Sequence, residues 1–208
     1  QQFAFDTIYH EHTSYHALHP LMMALNEAGI PAFDAELIPG QVGRGSLRVW
    51  AASRDRWVST SAMKSKILDI FDDEEHLGLE AGSRWSVLGA EIKNMGDATR
   101  KLVAACRSLP TKNTIVGYGA PAKLTTLMYG YGMKKEDVDF IVDDSTWKQG
   151  LLTPGLHIPV LAPIELLKAK PGTVLIFAWN FADAIVKSLR ENGYEGQILV
   201  APFWRTCS

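Results

Sequence analysis

Tyr9-His10-Glu11-His12 packs a phenol, a carboxylate and two imidazoles into four consecutive residues, with His16 and His19 close behind. Imidazole is the side chain best placed to accept and return a proton near neutral pH, so this stretch suits general acid–base chemistry. In an extended strand Tyr9 and Glu11 face one way and His10 and His12 the other, so a site using all of them requires a bend or turn. Two other readings compete. A metal site needs further spaced ligands, and HEH lacks the HExxH helical spacing. Alternatively, the histidines are satisfied by neighbouring backbone and do no chemistry.

A second chemical signal lies where Thr114-Ile115-Val116 runs into Gly117-Tyr118-Gly119-Ala120 just before a helix. In a strand, tight turn and helix, backbone N–H groups and the positive helix end receive a phosphate. Lys123 falls one helical turn inside, within reach of a second phosphate oxygen. Asp143 and Asp144 close the next strand about 26 residues after Gly117, near the usual position of a ribose-binding carboxylate. Ala122 replaces the third glycine of GxGxxG and Pro121 sits early in the helix, so the dinucleotide fingerprint is half met. The plain alternatives are a tight βα turn for the glycines and a solvated strand end or helix cap for the aspartates. Lys148, Gln149, Thr153 and His157 lie on a long polar loop at the carboxyl end of the same sheet. Their donors suit a diphosphate or a base, although such a loop is equally a connector.

The elements that must position these groups follow from periodicity. Phe3, Phe5, Thr7, Ile8 and Tyr9 favour a short β stretch. LMMALNEAGI has helical spacing and ends at Gly29. FDAELIP and SLRVWAA then pair as antiparallel strands across the turn GQVGRG. A polar stretch with a Ser/Thr helix start sets a domain boundary near residue 55, followed by helices over 62–79 and 83–109 that break near Gly82. From Thr114, Val- and Ile-rich runs alternate with helical segments ending in Gly. That pattern predicts an α/β domain, a Rossmann-like parallel sheet with crossover helices over 112–208.

Composition bounds the rest. The 208 residues are 47% apolar and 21% charged, enough for one and a half domains and incompatible with disorder, collagen or coiled coil. A formal charge of −2 supplies no field to recruit nucleic acid or an anionic membrane. No apolar run reaches spanning length and the N-terminus lacks the features of a signal peptide, so the chain reads as cytoplasmic. Cys106 and Cys207 form neither a disulfide framework nor a zinc site and read as plain thiols.

FDTIYHEHTSYH, a short helix and GRGSLRVWA, then GYGAPAKLTTLMYGYG with DDSTWKQGLLTPGLHIPV, together resemble the sugar C-methyltransferases. These enzymes methylate a carbon of a nucleotide-linked keto-deoxysugar with S-adenosylmethionine. The resemblance covers nearly the whole chain and implies a C-terminal portion of such an enzyme. Residues 1–55 would be the end of a truncated methyltransferase domain, a helix and an antiparallel strand pair. Residues 56–208 would be the C-terminal Rossmann-like domain, with helices over 60–109. Its partners would be the nucleotide-linked sugar and the missing N-terminal methyltransferase region. That region would carry the methyl-donor pocket and the only zinc-binding module, which would leave this chain inactive alone. By the same resemblance Tyr9, Glu11 and His12 line the active site. His12 would remove the proton beside the sugar ketone, while Tyr9 and Glu11 orient the ketone or the imidazole. Gly117, Gly119, Ala120 and Lys123 would face the diphosphate or base, with Asp143, Lys148, Gln149, Thr153 and His157 as further candidates.

Two other functions stand beside this one. The Rossmann-like half alone would make a nucleotide or nucleotide-sugar binding module without catalysis. An NAD(P)-dependent oxidoreductase would use Asp143 on ribose, against which stand Ala122 and the expected absence of a second domain with a catalytic Tyr-x-x-x-Lys or similar group.

Overall fold

Val and Ile are concentrated in short runs after residue 113, and those at 115–118 and 173–176 become strands buried along their length. The computed structural model describes residues 5–38, 46–53, 55–56, 60–78, 82–109, 113–202 and 204–207. Its larger sheet contains β3 (Ile115–Tyr118), β4 (Phe140–Val142), β5 (Val160–Leu161), β6 (Thr173–Ile176), β7 (Gln197–Val200) and β8 (Arg205–Cys207). These lie in the order β5-β4-β3-β6-β7-β8, parallel except for β8. Counted from β3, the order is 3-2-1-4-5-6, the arrangement of a doubly wound nucleotide-binding sheet. Apolar residues inside a parallel sheet are covered on both faces. Ile115, Val116, Ile141, Val142, Val174, Leu175 and Ile198 accordingly lie in one core.

Helices α4 (Leu124–Gly130), α5 (Pro163–Ala169) and α6 (Ala182–Glu191) connect the strands. In α6 the buried residues Ala182, Ile185 and Leu189 recur at intervals of three and four, which puts one stripe on the core. The β4 to β5 connection is a turn-rich loop with an isolated bridge between Leu152 and Pro159, and β8 is a strand that the sequence pattern did not predict.

Contacts divide the chain into two compact units, with changes of unit after residues 12 and 89. Among the described residues, the sheet belongs with residues 5–12, and those between 13 and 89 form the other unit. The helices expected together over 60–109 are therefore shared. α2 (Ser61–His76) lies in the second unit, whereas α3 (Ser83–Arg107) starts there and continues into the sheet's unit.

In the second unit α1 (Leu18–Glu27) precedes the antiparallel pair β1 (Ala32–Ile38) and β2 (Ser46–Ala51). The expected turn between those strands lies outside the described residues. Leu18, Ala35, Ile67 and Ile70 form this unit's core, with Leu47 and Val49 packed on it. Ala17 has no side chain with which to cap α1. The Glu74 carboxylate does so from α2, accepting the Leu18 N–H at 2.5 Å and the His19 N–H at 3.3 Å. Thr60 caps α2 by accepting the Met63 N–H. Among the described residues no helix is long and apolar enough to cross a membrane.

The N-terminal stretch departs from expectation. Phe5–Thr7 is a 3-10 helix and not part of a strand. Its β propensity yields to side-chain burial, because Phe5 and Asp6 are both buried without any strand partner.

Gly119 has φ +89°, and a Cβ there would collide with the Ala178 side chain. Gly119→Ala should therefore lower stability by about 2–4 kcal/mol through left-handed strain and overpacking, measurable by urea unfolding. A change below about 0.5 kcal/mol would contradict this account.

Candidate functional site

The four residues that open the chain's chemistry are held on a turn. The His12 N–H donates to the Tyr9 carbonyl at 2.9 Å, closing a tight turn after the Phe5–Thr7 helix. Tyr9 and His12 then meet ring to ring, with centroids 4.4 Å apart. His12 Nδ1 lies 2.9 Å from the Thr7 carbonyl. A carbonyl can only accept, so the neutral ring carries its proton on Nδ1 and its lone pair on Nε2. Glu11 goes elsewhere: its Oε1 is 3.9 Å from Nε2 of His10, and both side chains are exposed. The turn thus brings Tyr9 and His12 together and pairs Glu11 with its neighbour. Among the described residues no group of three or more His, Cys, Asp or Glu is placed to hold a metal.

The glycine loop is closed from within. Gly117 is buried in β3, where a Cβ would lie 2.7 Å from both the Ile141 and Phe177 side chains. The Gly119 N–H donates to the Val142 carbonyl at 2.7 Å. The Ala120 N–H donates to Asp143 Oδ2, also at 2.7 Å. Asp143 is 7% exposed and also accepts from the Ser145 N–H at 2.9 Å and the Lys148 ammonium at 3.1 Å. Burial alone would push this carboxyl up. The two N–H groups and Lys148 outweigh it and hold the group below the usual carboxylate range. An anion of the protein's own therefore takes the Ala120 donor that a phosphate would use.

Lys123 is also engaged. Its Nζ lies 3.0 Å from Asn180 Oδ1, 3.5 Å from Asp6 Oδ2 and 3.5 Å from the Trp179 ring centre. Gln149 donates through its side-chain amide to the Asp143 carbonyl. Thr153 is buried, and its hydroxyl accepts the Ile158 N–H, so it braces the loop. His157 is exposed in the left-handed region at φ 54°, and its N–H donates to the Thr153 carbonyl. Asp144 accepts from the Tyr118 hydroxyl at 3.1 Å. Burial, with the Asp144 charge beside it, pushes the Tyr118 phenol up and keeps it a donor.

Thus Asp143, Ala120, Lys148 and Gln149 converge at the ends of β3 and β4, while Thr153 and His157 shape the loop. Sequence reasoning missed Asp6, Trp179 and Asn180. Asp6 stands three residues before Tyr9, and Trp179-Asn180 directly follow the apolar run TVLIFA, but only tertiary contact joins them. It also passed over Trp147, which is 90% exposed at the tip of the turn beyond Asp144.

The model of the C-methyltransferase C-terminal domain matches residues 41–203. The C-methyltransferase NovU of Streptomyces niveus is 28% identical over 192 residues, covering 91% of this chain and 44% of NovU. The chain thus spans less than half the length of that curated relative.

The hydrogen bonds of Asp143 give a pH signature. Asp143→Asn should cost about 1–3 kcal/mol at neutral pH by urea unfolding. Because the folded-state pKa is lowered, the stabilisation is complete above the ordinary carboxylate range and drains away as pH falls through and below it. The gap between wild type and variant should therefore narrow on acidification. A gap independent of pH would contradict the assignment.

Proposed function

This chain belongs to the C-methyltransferase C-terminal domain family, and from that premise we propose that it forms part of a sugar C-methyltransferase. Its substrate would be a nucleotide-linked keto-deoxysugar. The reading is carried by the Tyr9 to His12 turn, which belongs to the same compact unit as the carboxyl edge of the sheet. A sugar nucleotide at that edge would bring its ketone toward the turn, because ligands of open α/β sheets bind beyond the strand ends.

In the proposed reaction His12 acts as general base through Nε2. The carbon beside a ketone loses its proton readily only as the enolate oxygen is stabilised, a task for the Tyr9 phenol. The Thr7 carbonyl keeps the imidazole in the accepting tautomer and supports the positive charge that forms when the proton arrives. Glu11, exposed beside His10, would orient the ketone once substrate is bound. Lys148 stands beside the Asp143 carboxylate with its side chain 42% exposed and would give the diphosphate a cation at the sheet edge. Trp147, exposed next to it, offers an aromatic face to the base.

The methyl donor in this proposal is S-adenosylmethionine. The crevice in which a doubly wound sheet would take its adenosine is filled here by Ala178 against Gly119 and by the Lys123 contacts, so the residues do not fit it. Its site is assigned outside the described residues, and the chain alone would not complete methyl transfer.

Calorimetric titration should show binding of a thymidine-type nucleotide sugar and no response to NAD. Tight NAD binding would overturn the proposal. Proton abstraction needs no methyl donor, so exchange of the sugar's α-proton in D₂O reads the base directly. Replacing His12 with Asn should slow that exchange by about 10²–10⁴-fold. Near-normal exchange would remove His12 from the role.

A further inference from the structure

We infer that Lys123, with Asp6 and Trp179, is a positioning clamp that holds the proton-accepting turn against the sheet, and is not a ligand of the nucleotide. The inference rests on the reading of Tyr9 to His12 as that turn.

A three-residue 3-10 helix and a turn have no strand ladder to hold them, so residues 5–12 depend on side-chain contacts. Phe5 supplies the apolar part. It packs 5.2 Å from the Tyr131 ring and fills the space that any side chain at Gly130 would need. Asp6 supplies the polar part. Its side chain is 1% exposed, and an isolated charge there would be prohibitively costly unless donors answered it. Trp179 Nε1 donates to Asp6 Oδ2 at 2.7 Å and the Lys123 ammonium stands 3.5 Å from the same oxygen. A third tether is the Thr126 hydroxyl, which donates to the Ile8 carbonyl at 3.1 Å.

The surroundings of Lys123 explain why it serves the turn. An ammonium has three donors and no acceptor. Asn180 Oδ1, Asp6 Oδ2 and the face of Trp179 surround this one at 3.0, 3.5 and 3.5 Å, and its side chain is only 12% exposed. A phosphate would have to displace the Asp6 carboxylate, and doing so would strand a buried charge beside the catalytic turn. Asp6, Lys123 and Trp179-Asn180 come from the N-terminal segment, the loop after β3 and the loop after β6. β3 and β6 flank the point where strand order reverses, the usual ligand crevice of such sheets. Here that point anchors the turn. Thr7, whose carbonyl contact with His12 sets the imidazole tautomer, lies between the tethered residues Asp6 and Ile8, so loosening the clamp should release the tautomer first.

The test is ¹⁵N NMR of the imidazoles in the 208-residue chain, with thymidine diphosphate titrated calorimetrically into the same samples. In wild type His12 should show the Nδ1–H form. In Lys123→Met it should become a mixture of tautomers, with thymidine diphosphate affinity changed by less than about fivefold. Lys123→Arg, which keeps the charge, should restore part of the Nδ1–H form. If Lys123→Met does not fold, Trp179→Phe, which removes only the N–H donor to Asp6, and Thr126→Val decide by the same readout. A His12 tautomer unchanged in the folded variants overturns the clamp. So does an affinity loss of about fivefold or more in Lys123→Met, which would make the lysine a nucleotide ligand. Should wild type not bind the diphosphate, the proposed substrate fails while the tautomer still decides the clamp.

Discussion

A carboxylate removed from water must be met by donors, and the burial of Asp6 makes that requirement the organising constraint at the carboxyl edge of this sheet. Its partners, Trp179 and Lys123, come from loops that follow two adjacent parallel strands. The same strands therefore form the sheet and present the donors. Phe5 against Tyr131 and the Thr126 hydrogen bond to the Ile8 carbonyl act with the Asp6 contacts to hold this segment.

Asp143 answers the same constraint in the opposite direction. It closes β4 and reaches across to the loop after β3, where it takes an N–H that a phosphate would otherwise claim. Ser145 and Lys148 complete its shell. The glycines of that loop are required for reasons internal to the fold. Gly117 makes room for Ile141 and Phe177, and Gly119 lets the backbone pass against Ala178. A loop that looks like a phosphate cradle is thus a close-packed junction of three strands. Recognition of a sugar nucleotide would then fall to the more exposed groups around it, Lys148 and Trp147 among them.

This redistribution bears on how a chain of this family divides its work. The chain belongs to the C-methyltransferase C-terminal domain family and matches less than half the length of NovU. The turn at Tyr9 to His12 clusters with the sheet's unit and not with the residues that follow it in sequence, α1 and the β1–β2 pair. In the proposed reaction, a proton acceptor on the same body as the sheet edge would keep its geometry relative to a substrate bound there, which is what general base catalysis demands.

Periodicity alone determined much of this protein. Helical spacing in LMMALNEAGI, the alternation around the β1–β2 pair, and Val and Ile runs punctuated by glycine foretold the helices, the antiparallel pair and the parallel sheet, because each depends on local propensity and on which face must be buried. The alternation of Tyr9 and Glu11 with His10 and His12 announced the need for a turn, and a turn is what forms. Tertiary structure alone decided that residues 5–7 become a 3-10 helix, that Asp143 fills the anion position of the glycine loop and that Lys123 faces Asp6 and Trp179. Partners lying 117 and 173 positions from Asp6 leave no trace in local pattern. Their meeting follows from strand order and from the cost of burying a charge, neither of which any short window of residues contains.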